Sequence, residues 1–246
     1  MPRIYLSPST QEANLYVNGG TEEEYMNLIA DAMVPYLRSS GIEFTRNTPD
    51  MTAASSIRQS NQGNYDLHLA LHSNAAPESL SGQIQGTDVY YYPNSVEGER
   101  AAVIFVDNLK DIYPNPNLVR AITTTRLGEV SRTRAPGILI EFAYHDNVED
   151  ANWIKNNIDE IAANVVLALT EYFGIPFIQP QNPKQGVVNL RYGTLNVRSA
   201  PSLGATIVGT LKDGDVVTVL GRWNDWYVVE FGDTTGYAYA DYIQTY

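Results

Sequence analysis

Residues 66–75 read DLHLALHSNA, and this stretch decides the fold of the first two thirds of the chain. Val, Ile, Leu and Ala dominate strands buried on both faces, and Leu67-His68-Leu69-Ala70-Leu71 reads as one. His72, Ser73 and Asn74 follow where the apolar run ends. In open α/β sheets ligands bind outside the carboxyl ends of the strands. An imidazole at such a place can hold a metal or move a proton. Taken alone, it is as readily a satisfied structural residue. His68 shares a strand face with His72 but lies about 13 Å deeper, and reads as a core histidine.

Working outward, strand-like and helix-like segments alternate up to about Gly174. Ile4-Tyr5-Leu6 is strand-like. Thr21 is placed to cap a helix with Glu24 at the capping-box position, and Met26, Ile29, Ala30, Met33 and Leu37 then share one helical face. Ile42–Thr45 and Val89–Tyr92 read as strands, Met51–Gln62 and Gly98–Ile112 as helices. Gly137-Ile138-Leu139-Ile140-Glu141 is a short buried strand, and Val148–Phe173 carries one or two amphipathic helices. Strands separated by helices predict an α/β fold: a twisted, mostly parallel sheet with helices on both faces. Residues 177–186, rich in Pro and Gln, have a linker's composition. From 187 to 246 short strands alternate with turn residues, which predicts a small all-β barrel. The expected boundaries are therefore 1–176, a linker at 177–186, and 187–246.

The chain has no cysteine, so disulfides and thiolate metal sites are excluded and a metal would need His, carboxylate or amide ligands. A net charge of −12 argues against nucleic-acid binding, which requires a basic patch. No apolar run approaches the roughly 20 residues that span a bilayer, and no signal peptide is visible at the N-terminus.

Three positions could carry chemistry. Glu22 and Glu23 both border the core-facing stripe of their helix. Each is a ligand candidate, against the alternative that acids in a first turn merely favour the helix dipole. Glu141 closes a buried strand, where a carboxylate can serve as general acid or base. His72 is the third. One His and two Glu drawn from three strand or helix ends can form a zinc-hydrolase grouping.

These residues carry a resemblance. Over about residues 3–174 the chain resembles the zinc-dependent N-acetylmuramoyl-L-alanine amidases of the Amidase_3 type. The matching motifs are Leu71-His72-Ser73-Asn74-Ala75, Glu22 in register with Ile29-Ala30, Thr45-Arg46, and Pro136 through Glu141, Tyr144 and Asn147. The resemblance implies that Glu22 and His72 ligate zinc and that Glu141 is the catalytic carboxylate. It also exposes a departure. Where the family's first strand leads to a zinc-binding His, this chain has Ser7-Pro8-Ser9-Thr10-Gln11, with Thr10 at the aligned position. Gln11 could supply an amide oxygen, or His145 could enter from its loop.

The second part resembles a bacterial SH3-like domain, on Leu195–Ser202, Gly214, Trp226-Tyr227-Val228 and Gly236-Tyr237-Ala238. The resemblance implies wall binding, with Tyr192, Trp223, Tyr237 and Tyr239 as candidate stacking residues and Trp226 as a core residue. The expected function is therefore a peptidoglycan hydrolase that cleaves the bond between N-acetylmuramic acid and L-alanine. It would act as a monomer outside the cell or at the wall, as a phage or prophage lysin or an autolysin lacking its leader. The competing expectation is a catalytically impaired protein that recognises peptidoglycan without cleaving it.

Overall fold

The computed structural model describes all 246 residues. Six strands, β1 (Arg3–Pro8), β2 (Glu43–Arg46), β3 (Leu67–Asn74), β4 (Thr87–Tyr91), β5 (Val119–Thr123) and β6 (Gly137–Tyr144), form one sheet in the order β2-β1-β3-β6-β4-β5. They alternate with α1 (Glu22–Ser39), α2 (Ala53–Gln62), α3 (Val96–Ile112) and the short α4 (Gly128–Ser131); α5 (Val148–Asn156) and α6 (Ile158–Phe173) follow. The central strands are the two apolar runs: β3 lies parallel to β1 and to β6, and Ile4, Leu6, Leu67, Leu69, Leu71, Ile138 and Ile140 are inaccessible to solvent. The sheet is mixed, because β4 runs antiparallel to β6 while β5 runs parallel to β4.

This topology brings the carboxyl ends of β1, β3 and β6 to one edge of the sheet. The register sets His72 opposite Glu141, and Asp88 of β4 opposite Glu141 on its other side. Three ionisable residues thus stand in one row across three adjacent strands.

In the second part, β7 (Lys184–Val188), β8 (Leu195–Arg198), β9 (Ile207–Leu211), β10 (Val216–Trp223), β11 (Trp226–Phe231), β12 (Thr234–Tyr239) and β13 (Ile243–Thr245) make a seven-stranded antiparallel sheet. Val197, Val217, Val229 and Ala238 are buried at its core. The first strand begins at Lys184, three residues inside the stretch whose composition suggests a linker. Gly186 is why this works: a Cβ there would lie 2.7 Å from Ile243 Cγ2. Ile178, also in that stretch, is buried with Leu220, Trp226, Val228 and Tyr237. The chain forms two compact units, one of Met1–Pro2, Val34–Glu43 and Phe173–Tyr246, the other of Arg3–Met33 and Phe44–Tyr172.

Candidate active site

Glu22 opens α1 and is 1% exposed. Thr21 Oγ1 accepts from the Glu24 backbone, so the helix start is pinned and Glu22 turns inward. Asn14 donates to Glu22 Oε2 at 2.5 Å, and Glu22 Oε1 lies 2.7 Å from His72 Nδ1. Glu23 is only partly buried, and of the two carboxylates it is Glu22 that meets His72. The Gln11 side-chain amide completes a triangle, 3.4 Å from Glu22 Oε1 and 3.4 Å from His72 Nδ1. Thr10 lines the same cavity, of about 440 Å³, but the contact comes from Gln11. His145 does not join the cluster. It is buried, with Nδ1 3.1 Å from Ser73 Oγ and its ring stacked on Tyr16. Its ring nitrogen is taken up by the Ser73 hydroxyl and carbonyl rather than by His72 or Glu22.

A residue that the sequence did not single out meets His72 from the other side. Glu129 of α4 places Oε2 3.1 Å from His72 Nε2 and Oε1 3.3 Å from His68 Nε2. Ser7 donates to Oε1 at 2.5 Å, and Ser60 Oγ lies 2.9 Å from His68 Nδ1. His68 is thus a satisfied core residue, as expected, but it is also joined to His72 through one carboxylate. The close approach of α4 to β6 depends on Gly137, where a Cβ would fall 2.6 Å from the Glu129 carbonyl oxygen and 2.8 Å from Thr133 Oγ1.

The electrostatics follow from these contacts. For His72, burial opposes the charged form, but hydrogen bonds to Glu129 and Glu22 outweigh it and raise the imidazole well above its ordinary 6.5. For Glu22 and Glu129 burial again opposes the charge. The contacts with His72, Asn14 and Ser9 for Glu22, and with His68 and His72 for Glu129, hold both carboxyls below the usual range. Glu141 is the exception. It lines the cavity, and its buried Oε2 has no hydrogen-bond partner. Desolvation, with Glu22, Asp88 and Glu129 nearby, outweighs the attraction of His72 and pushes Glu141 up to about 8. Glu22 and Glu129 are held toward the charged form and Glu141 toward the protonated one, the separation expected of an acid–base site. Asp88 itself pairs with Arg120 at 2.8 Å.

In the second part a groove of about 830 Å³ is lined by Arg191, Tyr192, Arg198, Trp226, Tyr239 and Tyr242, among others. Tyr192 and Tyr239 therefore stand where stacking residues would be needed, Tyr192 being 89% exposed. Trp223 is exposed but does not line this groove. Tyr237 is a correction: it is fully buried against Val228 and Trp226, and its hydroxyl donates to the Ser40 carbonyl at 2.8 Å. It pairs with Val228 across β11 and β12, which turns its ring inward and leaves no face for a ligand. Trp226 is 8% exposed; it fills the core and shows one edge to the groove.

A mixed α/β sheet thus carries a carboxylate–imidazole cluster at its carboxyl edge, beside a buried glutamate whose carboxyl is pushed toward the protonated form, a grouping suited to hydrolysis. Residues 9–171 match the family described as N-acetylmuramoyl-L-alanine amidase, and residues 193–244 match the bacterial SH3 domain. The chain belongs to the N-acetylmuramoyl-L-alanine amidase family. Its fold is similar to that of the amidase AmiC2 of Nostoc punctiforme, at 15% identity and TM-score 0.62, over 70% of this chain and 97% of that one. It is also similar to the catalytic domain of the CD27L endolysin targeting Clostridia difficile, at 22% identity and TM-score 0.58, over 70% and 98%. A third similar structure is the catalytic domain of CwlV from Bacillus (Paenibacillus) polymyxa var. colistinus, at 15% identity and TM-score 0.59, over 72% and 100%. A comparison with curated proteins returned no match.

Proposed function

We propose that this chain hydrolyses the amide between the lactyl group of N-acetylmuramic acid and L-alanine in peptidoglycan, using zinc held by Gln11, Glu22 and His72. Its SH3-like part would hold it on the wall through Tyr192 and Tyr239. The observation that carries the reading is the triangle of donors. With metal–ligand bonds of 2.0–2.1 Å, tetrahedral ligands stand about 3.3 Å apart. The three donor atoms here are separated by 2.7, 3.4 and 3.4 Å. No group of three His, Cys, Asp or Glu side chains able to hold a metal is present here or elsewhere in the chain, so the reading depends on Gln11 as the third ligand. The amide nitrogen and oxygen of Gln11 exchange by a half-turn, which presents the oxygen as the third donor. The donor set, one imidazole, one carboxylate and one amide oxygen, is harder than a two-histidine set and favours zinc less strongly.

Zinc, when bound, supplies a Lewis acid that polarises the substrate carbonyl and acidifies water. The remaining work falls to the chain. Glu141, in the same row as His72, takes the proton of the attacking water. The C–N bond breaks, and the same carboxyl returns that proton to the leaving amine of L-alanine. The products are the lactyl carboxylate and a free alanine N-terminus. A carboxyl near pH 8 in the resting protein suits the second step directly. The first requires the positive charge of a metal beside it to bring its pKa down.

The test is release of free L-alanine N-termini from purified wall by the zinc-loaded chain, with chelated protein and Glu141→Gln as comparisons. If the loaded protein released none yet pelleted with wall, cleavage would be ruled out in favour of recognition alone.

A further inference from the structure

Glu129 presents a problem that the proposed reaction does not explain. It is a carboxylate 5% exposed whose side-chain partners are Ser7, His68 and His72, with no Arg or Lys among them. Burying a carboxylate is costly even when it is paired, and a buried ion pair is weak evidence of a purely stabilising role. Its three donors, Ser7 and His68 on Oε1 and His72 on Oε2, come from β1 and β3 and fix its plane. His68 is itself fixed by Ser60 of α2. So β1, β3 and α2 all converge to hold one carboxylate oxygen against one ring nitrogen of His72.

A carboxylate only accepts, so in the metal-free chain each ring nitrogen of His72 carries a hydrogen, Nδ1 toward Glu22 and Nε2 toward Glu129. A metal in the donor triangle would take the place of the Nδ1 hydrogen, because Nδ1 is the atom that faces Glu22 and Gln11. The Nε2–H contact with Glu129, on the side away from the triangle, is then the one that keeps the ring in place. From this geometry, and resting on the zinc reading above, we infer that Glu129 is a positioning residue. It holds His72 as the Nε2–H tautomer with Nδ1 aimed at the metal, and His68 with Ser7 keeps Glu129 in place. Carboxylates behind metal-bound histidines act in this way in general, and losing one typically costs 10–100-fold in metal affinity.

The experiment measures zinc affinity by chelator competition on the full chain, together with the His72 ring nitrogens by 15N-resolved NMR of the zinc-loaded protein. Wild type is expected to show a metal-bound Nδ1 and a slowly exchanging Nε2–H. Glu129→Gln is expected to bind zinc about 10–100-fold more weakly and to lose the protected Nε2–H under conditions where urea unfolding shows its metal-free form to be fully folded. Glu129→Asp, which keeps the charge but withdraws it by one methylene, should fall between the two. Equal zinc affinity in wild type and Glu129→Gln, or a metal-bound Nε2 in wild type, would overturn the role of Glu129 while leaving the metal site standing. Failure of the wild type itself to bind zinc would overturn both, and so identifies which premise was wrong. Should Glu129→Gln not fold, wild-type affinity in a folded Glu129→Asp with Nε2–H unprotected would overturn the inference equally.

Discussion

Replacing Glu141 by Gln separates two demands placed on one residue. The folded chain holds this carboxyl at about 8 against 4.5 for a free one. The folded state therefore binds the proton more tightly than the unfolded state. Between pH 4.5 and 8 the stability of the metal-free protein must fall as pH rises, because folding then requires either a retained proton or a buried charge. At about 1.36 kcal/mol per pKa unit the limiting cost is about 5 kcal/mol. Glu141 keeps some exposure toward the cavity, and solvent screening there reduces the expected cost to about 2–3 kcal/mol at pH 8. Gln has nearly the same shape and no charge to bury. In chelator-treated protein, urea unfolding should thus find Glu141→Gln close to wild type at pH 5 and more stable by about 2–3 kcal/mol at pH 8. The same substitution should lower amide cleavage by the zinc-loaded enzyme by at least about 100-fold, with zinc still bound. A stability difference that does not change with pH, or a variant less stable at pH 8, would refute the argument that Glu141 is held protonated by burial.

Three further outcomes follow from the contacts described. Gln11→His should restore a two-histidine donor set and tighten zinc binding by about tenfold or more in chelator competition, whereas unchanged affinity would remove Gln11 from the metal site. Asp150 accepts from the Gly86 and Tyr144 backbones and the Tyr113 hydroxyl, so Asp150→Ala leaves three buried donors without a partner and should lower stability by about 3 kcal/mol in thermal or urea melts. Tyr192→Ala should reduce pelleting with purified wall and leave the melting temperature unchanged, whereas Tyr237→Ala should cost about 3–5 kcal/mol of stability; the reverse pattern would mean that the buried and the exposed tyrosine have been confused.

Much of this molecule was legible because its pattern is local. The apolar runs at Leu67–Leu71 and Ile138–Ile140 mark the two central strands, while the helical angle left Glu22 and Glu23 both open and the structure has Glu22 meeting His72. What could not be read depends on pairs far apart in sequence. Glu129 sits in a four-residue helix whose contacts with His72 and His68 span 57 and 61 residues, and nothing in its neighbours marks it. The reversal of β4 against β6 leaves no trace in composition, since a buried antiparallel strand and a buried parallel one draw on the same residues. Strand β5 was missed because its residues are largely exposed, as an edge strand's are. Lys184–Gly186 carried the composition of a linker because an edge strand next to a proline-rich segment needs little apolar content. Tyr237 was misassigned because an aromatic run such as Tyr237-Ala238-Tyr239 does not say which ring points in.

Gly137 has a consequence at a distance. It touches neither the cavity nor His72, yet the missing Cβ is what lets the Glu129 backbone settle against β6. It works as a gauge block between helix and sheet, its thickness setting how far a carboxylate can reach toward a ring nitrogen. A single methyl group at this position would widen that gap without altering any side chain of the site. On the proposed zinc reading, Gly137→Ala would then be recorded as a loss of metal affinity, in a protein in which Gln11, Glu22 and His72 were all intact.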